Sequence, residues 1–238
     1  ITPYFGTYFY AFNMTKEPWK SNADLRRALY LAIDRDTLIK HVTQADQLPA
    51  YSFVPPGTDN YPGFEPDAAK MTQAERDAQA KELFAKAGYG PDKPLKLEIT
   101  YNTSENHKKV AVAIAAMWKK TLGVDVTLQN QEWGTFQETR DKKQFPDIAR
   151  HGWIGDYNDA NNFLELETAY IGEQNTSGYD NPKFDELMKK AGLETDLGKR
   201  GELMVEAEKM MIQDLPIIPI YFYTTKHAVS PAVKGWQD

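Results

Sequence analysis

Leu95, Leu97, Ile99 and Tyr101 alternate with other residues at the two-residue period of a strand that buries one face. Ser104 then opens a run in which Val110, Ile114, Met117, Trp118 and Thr121 fall at helical spacing. Gly123 stops that run, and Val124, Val126 and Leu128 alternate again. A strand, a crossover helix and a second strand in the same sheet imply a parallel pair and a right-handed connection. The chain is therefore expected to fold as an α/β layered domain.

The remaining segments fit that frame. Residues 4–13 carry the aromatic content of a strand, ended by Glu17-Pro18. Ser21 or Asn22 caps a helix whose stripe is Leu25, Ala28, Leu29 and Ala32, and Asp34 restarts a second one bearing Leu38, Ile39 and Val42. Between Pro49 and Pro66, five prolines and two glycines stand among Tyr51, Phe53, Tyr61 and Phe64, the composition of an ordered loop packed across a surface. Thr72 and Glu75 form a capping box for a helix through Ala80, Leu83, Phe84 and Ala87, closed at Gly88. A short helix follows Trp133 through Phe136 and Arg140, and Asp147 to Arg150 reads as a strand. Asn181-Pro182 and Asp196 start two further helices. Ile217 to Tyr223 is a last strand, interrupted by Pro219.

Composition excludes several functions. The chain carries 28 basic and 34 acidic residues, a formal charge of −6, so no global field draws nucleic acid or anionic lipid. There are no cysteines, hence neither thiol chemistry nor cysteine-based zinc sites. No apolar run approaches the ~20 residues of a spanning helix. The opening lacks methionine and the pattern of a signal peptide, which suggests a processed or excised piece of something longer.

The motif carrying the most chemistry is GWIGDYND at 152–159, two acids among aromatic residues and glycines at a strand end, where open α/β sheets tend to bind ligands. Each of its features has a plainer alternative. Asp156 either binds a ligand or bonds the backbone of its own turn. Trp133 and Trp153 are core residues or pocket walls, although Gly152 and Gly155 beside Trp153 would let another backbone approach. His107 is a first-turn helical residue or a ligand contact, and Arg140 and Arg150 are surface charges or anion binders. The four histidines lack zinc-protease spacing, and neither a nucleophile elbow nor a phosphate-binding lysine motif is present. An Asp156–Asp159 pair in a loop fixes no separation between carboxyl groups, so a glycosidase-like reading has little behind it.

Residues 8–39, YFYAFNMTKEPWKSNADLRRALYLAIDRDTLI, resemble the hallmark segment of the bacterial solute-binding proteins for peptides and nickel. PAYSFVPPGTD at 49–59, YNTSENHKK at 101–109, LGVDVTLQNQEW at 122–133 and DIARHGWIGDYND at 147–159 resemble the periplasmic oligopeptide-binding members most closely. The resemblance implies one lobe of a two-lobed, class II periplasmic-binding-protein fold, with a mixed sheet and flanking helices. It implies that residues 1–238 are the C-terminal lobe, with the N-terminal lobe and the crossover tail missing.

The implied function is non-enzymatic: the extracytoplasmic, periplasmic receptor of an oligopeptide ABC importer. Its implied partners are short peptides, the missing lobe and an inner-membrane permease, with no cofactor. By the same resemblance Asp156 meets the peptide's α-ammonium group, and the backbone of Gly152, Trp153 and Ile154 pairs with the peptide main chain. Trp133 and Trp153 wall side-chain pockets, and Arg150 and His107, ahead of Arg140, neutralise the carboxylate. Tyr223 faces the ligand. Thr43 departs from the pattern, standing where the enteric members have a lysine. The rival readings are the same fold with another solute (murein peptide, dipeptide, nickel or sugar) and, more distantly, an acid/base hydrolase using Asp156 and His107.

Overall fold

The computed structural model describes residues 2–236. Six strands form one mixed sheet: β1 (Thr2–Phe12), β2 (Leu48–Pro49), β3 (Lys96–Asn102), β4 (Asp125–Gln131), β5 (Ile148–Ile154) and β6 (Ile217–Thr225). Their order across the sheet is β2-β6-β1-β5-β3-β4. β3 runs parallel to both β4 and β5, whereas β1 is antiparallel to its neighbours β5 and β6. The strand, helix, strand unit is present as expected, with α5 (Glu105–Leu122) between β3 and β4 and Leu97 opposite Val126. Ser104 accepts from the His107 amide at its start, and Gly123, at φ 74°, ends it in the left-handed region that glycine enters without strain.

β1 is the spine. Every residue from Gly6 to Phe12 is buried, because strands flank it on both edges and side chains cover it on both faces. On one face Phe9 stacks on His151 and meets Phe53 edge-on; on the other, Tyr8 stacks on Tyr221. Pro219 is accommodated where the β1–β6 register slips between Tyr8 and Phe9, so the missing amide falls at an irregularity.

α1 (Ala23–Leu31) is capped by Asn22, and α2 (Arg35–Leu38) by Asp34. The second helix departs from expectation after one turn: Ile39–Thr43 winds as a π-helix, closed by Gln44 in the left-handed region. α3 (Asp67–Lys70) precedes α4 (Gln73–Lys86), whose Thr72–Glu75 capping box is complete. α6 (Trp133–Asp141), α7 (Asn161–Leu164), α8 (Pro182–Leu193) and α9 (Leu197–Asp214) follow, with 3-10 turns after α7.

The proline-rich segment at 49–66 is woven into the core more deeply than a surface loop. Ala50, Phe53 and Val54 are buried, and Tyr30 and Thr7 donate to its carbonyls at Tyr51 and Phe53. Glu208 of α9 accepts from the Phe53 and Val54 amides at 2.7 and 2.8 Å and from the Tyr61 hydroxyl. No described helix is long and apolar enough to cross a membrane.

Candidate functional site

The glycine-bearing motif does not leave the sheet where its composition suggested. β5 continues through Gly152, Trp153 and Ile154, each opposite a β1 residue, and ends only at Gly155. Gly155 still donates its amide to Phe5, and Asn13 donates to Asp147, so the odd-numbered residues of β5 turn their backbone groups toward β1. Gly152 and Ile154 therefore turn theirs to the opposite edge. There β3 pairs with β5 only at Ile148 and Ala149, and the upper half of that edge is open. The Gly152 amide is met by the His151 Nδ1 at 2.7 Å.

Side chains of alternate residues on this half-strand share one face. Arg150 lies half-buried there, its guanidinium 4.9 Å over the Tyr8 ring and donating to Asn102 Oδ1 at 3.3 Å and Tyr223 Oη at 3.2 Å. Burial works against its charge, but the surrounding Tyr8, Tyr223 and Tyr221 outweigh it and its pKa stays above the ordinary value. No described acid pairs with it, and its Nε is buried without a partner. Gly152 is glycine for lack of room: a Cβ would lie 2.5 Å from Tyr223 Oη and 3.0 Å from Arg150 Nη2. His107, on the first turn of α5, places Nδ1 3.3 Å from the Tyr8 hydroxyl. Burial, reinforced by Arg150, lowers its pKa to about 4. Without a ligand it is thus a neutral imidazole at pH 7, within hydrogen-bonding distance of the Tyr8 hydroxyl.

Asp156 lies past the strand end. Its carboxylate is exposed and has no hydrogen-bond or ionic partner among the described residues, while its own amide donates to Asn162 Oδ1 at 2.7 Å. Asp159, three residues on, is the opposite case: Arg200 grips both its oxygens at 2.6 and 2.9 Å. Beside the 155–158 turn is a cavity of about 410 Å³ lined by Tyr4, Phe5, Leu48, Pro56 and Phe222.

The other expected site residues are more scattered. Ile154 is 39% exposed on the Gly152 face. Trp153 alternates to the other face and donates its Nε1 to Asn162 Oδ1 at 3.1 Å. Trp133, 47% exposed at the start of α6, has Phe136 as its ring neighbour. Arg140 is already engaged by Asp141 at 3.2 Å, so its charge is compensated where that of Arg150 is not. Arg150, Gly152, Tyr223 and His107 are thus brought together around Tyr8, with Ile154 and Asp156 further along the same strand direction. Tyr8, Asn102 and Asn162 were missed by sequence reasoning. Tyr8 was legible only as part of an aromatic strand, and Asn162 left no signal.

Residues 1–175 match the family described as bacterial extracellular solute-binding proteins, family 5 Middle. The chain belongs to this family. It is 42% identical over 236 residues to the periplasmic oligopeptide-binding protein OppA of Salmonella typhimurium, and 44% identical over 237 residues to the periplasmic murein peptide-binding protein MppA of Escherichia coli. These alignments cover 99% and 98% of the chain but 43% of each relative, so the chain spans less than half the length of the family members it matches.

Among solved structures, E. coli MppA superposes with a TM-score of 0.89 over 93% of the chain and 43% of that protein, at 44% identity. Haemophilus influenzae OppA in complex with RPPGFSPFR gives 0.87 at 37% identity, over 93% and 43%. A further structure, that of a peptide ABC transporter's peptide-binding protein, gives 0.78 at 27% identity over 91% of the chain and is covered over 98% of its length. The open mixed α/β sheet is thus the fold of periplasmic peptide-binding proteins, and the family consists of solute-binding proteins.

Proposed function

We propose that residues 1–238 are the C-terminal lobe of a periplasmic oligopeptide receptor that delivers short peptides to an ABC permease, without catalysing a reaction on them. The observation that carries this reading is one strand with three complementary features: an edge without a partner strand at Gly152 and Ile154 and, among the described residues, an unpaired carboxylate beyond its end and a guanidinium behind it that no acid pairs. An extended peptide added to that edge gains main-chain hydrogen bonds that read no side chain. Its ammonium group meets Asp156 and its carboxylate meets Arg150, both as charge-assisted bonds.

The spacing suits short ligands. Arg150 folds forward so that Nη2 lies beside Gly152, four residues before Asp156. Even at full strand rise that is at most roughly 13 Å, which leaves room for about two extended residues once a hydrogen bond is set at each end. The names of relatives that bind oligopeptides and murein peptides support the ligand class. Coverage of 43% supports a missing second lobe, and the near-complete match to a solved chain of similar extent supports an independent folding unit. Closure of that second lobe over the peptide would exclude water and strengthen both ionic contacts.

In the two-lobed parent protein, Asp156→Ala should weaken a free-amino tripeptide by several hundredfold, the loss expected on leaving a desolvated ammonium unpaired, about 3–5 kcal/mol. Isothermal calorimetry measures it, and unchanged affinity sinks the assignment.

A further inference from the structure

We infer that Asn162 is a positioning residue for the ligand-binding carboxylate, its side-chain oxygen fixing the backbone of Asp156 so that the acid meets an ammonium group without first being ordered. The inference rests on Asp156 being the ammonium-binding group.

After Gly155 the chain leaves the sheet, and Asp156 has no ladder partner to hold it. Its amide instead donates to Asn162 Oδ1 at 2.7 Å, and the same oxygen accepts the Trp153 indole N–H at 3.1 Å. Two donors satisfy both acceptor sites of that oxygen, which fixes the side-chain amide as well as what it holds. One atom thus couples the strand that carries the open edge to the residue that carries the negative charge.

The acceptor itself stands on a rigid frame. Asn162 is 3% exposed, and the neighbouring Phe163 ring packs edge-on against Phe5 and Phe53 at 4.9 and 5.6 Å. The turn leading to α7 is tied down twice more: Asp159 receives the Asn161 amide at 2.8 Å and both Arg200 contacts, and Asn158 Oδ1 receives the Asp59 amide at 3.1 Å. Asn162 is the one described side chain bonded to Asp156 itself.

The physical consequence is preorganisation. A carboxylate on a loose, wet turn gains little from an ion pair, because side-chain and loop ordering offset it. On a turn ordered when the protein folds, that cost is no longer met at binding. An asparagine does this without adding a second charge beside the ligand, which an acid would.

The test uses the two-lobed parent protein, with a tripeptide bearing a free amino terminus and the same peptide N-acetylated. Asn162→Ala should weaken the free-amino peptide about tenfold, the scale of one hydrogen bond, and leave the acetylated one within about twofold. Asp156→Ala should erase the preference for the free amine; if the preference survives, the underlying assignment of Asp156 fails, whatever Asn162 does. If Asp156→Ala erases it but Asn162→Ala weakens both peptides equally, or neither, the positioning role is overturned. Hydrogen exchange on the unmodified protein is independent of whether the variants fold: the Asp156 amide should be protected at least about a hundredfold, as a hydrogen-bonded group in a stable frame is. Exchange at the unprotected rate overturns the inference.

Discussion

Replacing Glu208 with glutamine should change how the protein's stability depends on pH. The carboxyl is completely buried on α9, with Oε1 accepting from the amides of Phe53 and Val54 and Oε2 from the Tyr61 hydroxyl. Burial pushes its pKa from the ordinary 4.5 up to about 7, with the three donors pulling the other way. Below 4.5 the carboxyl is protonated folded or unfolded, and nothing is lost. Between 4.5 and 7 the unfolded chain releases a proton that the folded chain retains, so stability falls as pH rises, and above 7 the loss is complete. At about 1.4 kcal/mol per pH unit the loss is on the order of 3 kcal/mol.

Glutamine cannot ionise, while its oxygen keeps both amide donors and its nitrogen faces the Tyr61 oxygen. The variant should match the parent at pH 4.5 and exceed it by up to ~3 kcal/mol at pH 8, roughly 5–10 °C in Tm for a chain of this size. Other groups bend the absolute curves. Glu167, raised by burial to about 8, has the same sign, whereas His107, lowered to about 4, and His151, lowered by burial, lose stability as pH falls below 6.5. These are common to both proteins, so urea titrations from pH 4.5 to 8.5 isolate Glu208 in the difference. A difference that does not vary with pH refutes the reasoning. A glutamine variant less stable at pH 8 would show instead that the three donors hold an anion.

Two further outcomes follow from the packing. Arg35 is fully buried with no acid partner among the described residues, donates to the carbonyls of Ala50, Pro219, Tyr30 and Ile33, and lies 4.6 and 4.4 Å from the Tyr30 and Tyr51 ring centres. Arg35→Met leaves those carbonyls unpaired and should cost at least ~3 kcal/mol in urea unfolding; a loss below ~1 kcal/mol would contradict this. Gly152→Ala forces Tyr223 and Arg150 apart. In the two-lobed protein it should weaken free-carboxylate tripeptides about tenfold more than C-terminally amidated ones, and equal losses would detach Arg150 from the ligand's carboxylate.

The elements legible in advance are those whose signals are local. Thr72 and Glu75 lie three residues apart, Ser104 sits directly before its helix, and Gly123 directly after it, so each boundary is written within one turn. The strand, helix, strand unit is legible because burial imposes period on every one of its segments. What escaped depends on partners far along the chain. Glu208 meets residues about 150 positions earlier and Arg35 meets Pro219, so neither charge looked buried. The extent of β5 was misjudged for a related reason. Glycines at 152 and 155 read as the mark of a turn, but they are dictated by contacts with Tyr223 and Phe5, and strand pairing with β1 continues across the first of them.

The turn at 155–159 shows what three dimensions add to an acid that the family resemblance had already singled out. Asp156 and Asp159 are the same residue three positions apart, and no spacing rule separates them. Arg200 closes on Asp159 and satisfies it, which makes it part of the frame. Asp156 has no such partner among the described residues, and Arg150 is surrounded by phenols and an amide in a chain that carries 34 acids. The surrounding phenol oxygens outweigh burial and keep Arg150 charged, yet its buried Nε still has no hydrogen-bond partner among the described residues. On the proposed reading a ligand carboxylate would supply the missing partner. On that same reading the two groups work as one arrangement, which a ligand carrying both an ammonium and a carboxylate on an extended backbone would complete.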